Sequence, residues 1–380
     1  MSGAELIDAS TSAAPLPAGL TRQLRAPARG RPADFLAAFD ADTAFYDCFR
    51  HVDGTRVLLA GPPPIGIETA FRNARFTALP SRSALAARFH TSLSVMLTEL
   101  VVPEASTSIE VRFDTGKVEL PIRPNLSPVL AGRRLLFSMN RNNDLAWIRE
   151  WAAFHARTHG TDAVVLFDNG STRYSAGDIA ETLRGVAGLA QVAVPVWPQK
   201  FGRTDPAVRP DPYWAHFAQI ASMSVVLRRY GALGAGLLNC DIDELCRPLP
   251  GGSIYDAAAR ARQGLVVFRG QWIEAMAGEP AMGDHRDFVM RLADPKRARS
   301  RPNKWALDPR RRWVQRLGVH PYWHWIAGRP PFSKTRPAGA GYWHFRGINT
   351  NWKGPRTAQR GDGTRFEIDP ALAALFAGGA

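Results

Sequence analysis

The stretch RRLLFSMNRNNDLAWIREWAAFHARTHGTDAVVLFDNGS, residues 133–171, decides how this chain folds. Its first seven residues form a short apolar run that reads as a buried strand. NRNND then supplies side chains suited to capping a helix start. Within the next segment Trp147, Ile148, Trp151, Phe154 and His155 fall at i, i+1, i+4, i+7 and i+8, one face of a helix that Gly160 ends. DAVVLFD (162–168) is aliphatic on both alternating faces, as a strand covered from both sides must be.

The plan repeats along the chain. A helix is expected near 177–187 and a strand in AQVAVPVW (190–197); a longer helix over about 212–230 leads into GAGLLNCDIDE (234–244). Repeated β-α-β units with short buried strands predict an α/β fold with a mostly parallel sheet. Upstream the texture differs. Residues 1–30 are rich in Ala, Pro and Arg with little periodicity and read as a mobile tail. Between 31 and 131 short runs such as TRVLLA, TSIEVRF and GKVELPI alternate between Pro and Gly breaks, which predicts a smaller N-terminal β-rich accessory domain. The α/β domain then occupies 132–350, and 351–380 is a C-terminal extension.

Composition narrows the classes. Of 380 residues, 45% are hydrophobic and 10% aromatic, enough for a real core. No apolar run reaches the roughly 18 residues of a membrane span. Three cysteines and an N-terminus without a signal-like apolar segment read as a soluble cytoplasmic protein. The net charge is +14, yet only six of the 48 basic residues are lysine, a skew that fits coding bias. No nucleic-acid-binding motif accompanies it, so no nucleic-acid partner is expected. A diphosphate substrate or a peripheral contact with an anionic membrane surface uses the charge as naturally.

Two aspartates, Asp241 and Asp243, follow an apolar run directly, and Asp168 ends another strand. Ligands of open α/β sheets bind beyond the carboxyl ends of strands. Carboxylates there, in a basic protein, point to a hard divalent cation and a phosphorylated ligand. Cys240 and Cys246 do not have zinc spacing and read as buried thiols.

These residues also carry a resemblance. SMNRNNDLAWIREWAAFHARTHGTDAVVLFDNGSTRY and FAQIASMSVVLRRYGALGAGLLNCDIDELCRP resemble the nucleotide-sugar domain of glycosyltransferases of the family 2 and family 92 type, and NKWALDPRR, LGVHPYWHW and GYWHFRG resemble its later segments. The similarity spans about 132–350. It implies a GT-A fold, Rossmann-like, and a metal-dependent transfer from a nucleoside diphosphate sugar to a glycan or other hydroxyl acceptor, with Mn²⁺ or Mg²⁺ as cofactor. By position, Asn142 and Asp168 would meet the nucleotide, Asp241 the ribose or sugar within reach of the metal, Asp243 the metal, and His344 a metal or phosphate contact. Lys304 would stabilise the leaving diphosphate.

Transfer with inversion needs a general base. Glu274 is the first candidate for this role, followed by Asp287, Asp284 and His285. Trp313, Tyr322, Trp323 and Trp325 could stack on an acceptor sugar or simply close the core. A nucleotidyltransferase or phosphohydrolase acting on a nucleotide sugar, and a non-catalytic nucleotide- or polyanion-binding protein, are the alternatives.

Overall fold

A computed structural model describes residues 3–25, 31, 33–203, 215–276, 283–350 and 365–378. Part of the expected C-terminal extension, 351–364, and the expected start of the third helix at 212 lie outside these residues. The main sheet is built from β1 (Glu5–Ile7), β2 (Arg134–Asn140), β3 (Ala163–Asp168), β4 (Gln191–Ala193), β5 (Gly236–Asn239), β6 (Glu244–Cys246), β7 (Leu265–Ile273), β8 (Arg299–Leu307), β9 (Lys334–Thr335) and β10 (Gly341–Phe345). Their spatial order is β1-β4-β3-β2-β5-β8-β7-β10-β6, with β9 also on β7. The run from β1 to β5 is parallel. Beyond it β8 lies antiparallel to both β5 and β7, and β6 antiparallel to β10. The sheet is therefore mixed: most of its pairings are parallel, as expected, and the strands β8 and β6 add antiparallel ones that the β-α-β pattern of the sequence does not announce.

Helix α1 (Leu145–His159) lies where its apolar spacing predicts. Asp144 caps it by accepting from the Ala146 N–H, and Gly160, at φ 64°, closes it in the left-handed conformation that glycine adopts without strain. Trp147, Ile148, Trp151 and Phe154, with α2 (Ala176–Arg184) and α4 (Ile254–Arg260), cover one face of the sheet through Leu136, Val164 and Leu166. The intervening residues Leu135, Phe137, Val165 and Phe167 point the other way, towards α3 (Phe217–Val225).

That second face explains the N-terminal region. Two four-stranded antiparallel sheets lie there, one containing Arg56–Gly61 and Met96–Val101, the other Arg75–Leu79 and Ser108–Phe113. Val57, Leu59, Met96 and Leu100 pack against Phe76, Ile109 and Val111 between these sheets. Leu58, Ala60 and Leu97 alternate onto the opposite side and join the core shared with Phe137, Phe167 and Phe217. The β-rich region is thus a layer of the same body rather than a separable accessory.

The expected tail needs the same correction. Glu5–Ile7 pairs in parallel with Gln191–Ala193 at the edge of the main sheet, and Ala14–Pro15 pairs with Thr43–Phe45. Residues 3–25 are part of the fold. Among the described residues no helix is long and apolar enough to cross a membrane.

Candidate functional site

Strand β5 ends at Asn239, and the chain turns back at once into β6. Glu244 N–H donates to the Asp241 carbonyl (2.9 Å), while Asp241 N–H donates to the Glu244 carboxylate (2.8 Å). This turn aims three carboxylates at one place. The antiparallel pairing of β6 with β10 sets His344 opposite Glu244, and β8 brings Lys304 alongside from the neighbouring strand.

Lys304 is fully buried, its Nζ 2.7 Å from Asp241 Oδ2 and 2.8 Å from Glu244 Oε2. Burial alone would lower its ammonium, but Asp241 and Glu244 outweigh that and hold it well above the ordinary lysine value. Burial raises the Glu244 carboxyl; Lys304 pulls it down and the neighbouring aspartates add to the rise. Lys304, expected beside a leaving diphosphate, thus has its ammonium paired with Asp241 and Glu244. His344 Nε2 lies 3.1 Å from Asp243 Oδ2, its Nδ1 lies 3.0 Å from Ser300 Oγ, and its ring stacks on Trp272 at 3.9 Å.

Asp243, Glu244 and His344 each offer a ligand atom, and these atoms lie within 4.8 Å of one another. The donor set fits a divalent ion. Lys304 pairs with Asp241 and Glu244, Asp243 adds a third carboxylate beside His344, and the contact between His344 Nδ1 and Ser300 is the kind of outer-shell bond that orients a ligating imidazole. Glu244 was passed over as a ligand in the sequence, although it is the next residue after Asp243. The reason is physical: the partners that define its role, Lys304 and His344, come from strands remote in the chain.

Behind the turn, three buried histidines grip its backbone. His155 Nδ1–H donates to the Trp151 carbonyl (2.8 Å), and its Nε2 accepts from Cys246 N–H (3.2 Å). His159 Nε2–H donates to the Cys246 carbonyl (3.0 Å), and its Nδ1 accepts from Ile254 N–H (3.2 Å). His285 Nε2–H donates to the Ile242 carbonyl (2.9 Å). An imidazole that accepts from a backbone N–H cannot hold a second proton without placing two donors face to face. Burial pushes His155 down to about 3 and His159 to about 4. His320, whose ring nitrogens meet no partner among the described residues, is pushed to about 3, again by burial.

These values set a pH dependence. Unfolded histidines protonate near 6.5, so below about that pH the unfolded state binds more protons than the folded one. Stability present above pH ~6.5 is lost as the pH falls towards 4, by about 1.4 kcal/mol per unit for each histidine kept neutral. Melting temperatures measured from pH 7 to pH 5 should fall steeply, and His320→Leu should make the slope shallower. A flat profile would mean that these imidazoles are charged in the folded chain.

A cavity of about 310 Å³ opens beside the carboxylates. Asp241, Asp243, Glu244 and His344 line it, as do Asn143, Trp323 and His324. Asn142 and Asp168 stand behind this wall. Asp168 is buried, its carboxylate taken by Asn140 Nδ2 (3.2 Å) and by the N–H (3.2 Å) and hydroxyl (2.5 Å) of Ser171. Asn142, at φ 56°, accepts from Thr172 N–H (2.8 Å). Asn140 in turn accepts from Asn143 (2.9 Å), so this network reaches the cavity through Asn143.

The base candidates are not brought to the cavity. Glu274 is buried with Oε2 2.8 Å from Arg346 Nε, and Asp284 and Asp287 cap the short turn that holds His285. Of the four aromatics only Trp323 lines the cavity; Tyr322 and Trp325 stack on each other at 4.3 Å, and Trp313 is buried with its indole N–H on the Gln263 carbonyl. Cys240 and Cys246 are buried free thiols. No protein-family model matches this chain, and no curated protein matches it.

Proposed function

We propose that this protein transfers a sugar from a nucleoside diphosphate donor to a glycan or other hydroxyl acceptor, on a sheet of the GT-A type. One observation carries the reading: Asp241, Asp243, Glu244 and His344 converge on a cavity at the carboxyl end of β5, where open α/β sheets take their ligands. Asp243, Glu244 and His344 would hold the divalent ion, and an imidazole in the set favours Mn²⁺ over Mg²⁺. When bound, the ion would offset the charge of the diphosphate leaving group.

The chain's own residues divide the remaining work. Lys304 pairs with both Asp241 and Glu244, and Asp241 faces the cavity beside the ligand set. Trp323 offers an aromatic face to a sugar ring. His324 lines the cavity with its Nδ1–H donating to the Asn303 carbonyl (3.0 Å), and an imidazole is the side chain whose ordinary titration range best suits a general base near neutral pH. We therefore move the role of acceptor base from Glu274 to His324. Glu274→Gln should lower turnover by less than about tenfold, below the 10²–10⁴ range of a lost general base. A larger loss, with donor binding intact, would return the role to Glu274.

The experiment that tests the whole reading is a thermal-shift panel of nucleoside diphosphates with and without Mn²⁺. A rise in melting temperature that needs both partners supports it, since only a ligand bound to the native state stabilises. Product analysis then separates the classes. Loss of nucleotide from the donor without sugar gained by any acceptor indicates a phosphohydrolase or nucleotidyltransferase, and no shift with any nucleotide rules out the donor site.

A further inference from the structure

The loop RPPFSKTR, residues 329–336, carries a side chain that packing does not explain. Phe332 is fully exposed, at 101%, and sits at φ 55°, a conformation that bulky residues rarely adopt. The loop around it is anchored. Ser333 is buried and accepts from Arg329 (3.1 Å), Lys334 and Thr335 pair with Leu265 and Val266 of β7, and Gly328 packs against the Gly318 backbone too closely for any Cβ. A fixed loop thus holds Phe332 out in water, with Pro330 and Pro331 beside it.

Basic residues surround this apolar tip. Arg329, Lys334 and Arg336 form no ion pair among the described residues, and burial together with the charges of Arg329 and Arg336 pushes the Lys334 ammonium down. Exposed Arg262 lies just before the start of β7, and exposed Arg316 donates to the Gly328 carbonyl (3.2 Å). The nearby carboxylate, Asp308, is already taken by Arg310 and Arg311. Because β7 runs antiparallel to β8, and β8 to β5, this face is at the end of the sheet remote from the Asp243 cavity.

We propose that this loop docks the protein on an anionic lipid bilayer, with Phe332 entering the headgroup layer and the arginines and Lys334 lying over acidic headgroups. An aromatic ring has its preferred place at that interface, and each basic residue near an anionic surface adds attraction. A nucleic acid would use the cations but has no need of a Pro-Pro-Phe tip. Docking by this face leaves the carboxylate cavity open to solvent, and it stands or falls independently of the transferase reading.

The test is sedimentation of the full-length protein with vesicles of phosphatidylcholine alone and of phosphatidylcholine mixed with phosphatidylserine. Binding to the mixed vesicles only is expected, weakening as salt is raised. Lys334→Gln and Arg336→Gln should each reduce partitioning about fivefold. Phe332→Ser should reduce it about tenfold with an unchanged melting temperature, as removal of an exposed ring costs the fold nothing. No binding to mixed vesicles, or binding that Phe332→Ser does not alter, overturns the proposal. Binding of an RNA homopolymer in place of vesicles overturns it in favour of a polyanion site.

Discussion

If the protein is the transferase proposed above, Asp243→Asn should leave it folded and lower turnover by on the order of 10³-fold, more than the loss typical of one outer-shell partner of a metal. Asparagine has nearly the size of aspartate, and besides the contact of its carboxylate with His344 the turn holds Asp243 through its backbone, whose carbonyl accepts from Phe345 N–H (2.8 Å). The change therefore removes a charge more than a shape. Calorimetric titration of nucleoside diphosphate, with excess Mn²⁺ and again with chelator, reads the consequence directly. Wild type should bind tightly only with metal, and Asp243→Asn should bind weakly in both conditions. Equal binding by wild type with and without metal would reduce the aspartates to turn formers after a buried strand.

Asp241 gives the contrast that makes this result specific. Its carboxylate accepts from Lys304 Nζ (2.7 Å) and from Ser138 Oγ (3.3 Å), and is not among the three ligand atoms that lie within reach of one ion. Asp241→Asn should weaken donor binding while preserving most of its metal dependence. Lys304 cannot be used in the same way, because its removal would leave Glu244 buried beside Asp241 without a counter-ion.

The two aspartates were legible because local chemistry announces them: polar residues one apart directly after an apolar strand. Helix α1 was legible for a similar reason, with its cap at Asp144, its stop at Gly160 and its buried face all encoded within the segment itself. Apart from His344, which the resemblance supplied, what escaped were features set by distant partners. Glu5–Ile7 is only three residues long, and its place at the sheet edge depends on Gln191–Ala193. Glu244 gains its role from Lys304 and His344, and the histidine grip on Cys246 from a helix some ninety residues upstream, a separation read from positions 155 and 246. Glu274 follows a strand and so reads as catalytic, yet Arg346, the residue just past the neighbouring strand β10, pairs with it. A carboxylate's role is fixed by what faces it, and across a sheet that is tertiary information.

The same dependence on distant partners governs the prediction with the largest effect on the fold. The texture change near residue 133 would suggest that residues 132–380 could stand alone; the structure leads to the opposite expectation. Removing residues 1–131 strips β1 from the sheet edge and uncovers the face formed by Phe137, Val165, Phe167, Phe217 and Ile220. It also deletes Asp47, whose carboxylate is 2.8 Å from Arg229 Nη1 with both side chains fully buried. Arg229 makes further bonds to the carbonyls of Ser10 (2.8 Å) and Pro124 (3.1 Å), so every hydrogen bond it makes within this cluster is to the deleted segment. Leaving one partner of a buried pair behind costs about 3–5 kcal/mol, a large part of the 5–15 kcal/mol that typically holds a domain together. The exposed apolar face adds to that loss. Residues 132–380 expressed alone should therefore show no cooperative melting transition and elute as aggregate, whereas the full-length Asp47→Asn protein should melt cooperatively at a lower temperature. A truncated chain that melts cooperatively and still binds nucleoside diphosphate with Mn²⁺ would show that the N-terminal sheets merely rest on the α/β layer and that the shared core is dispensable.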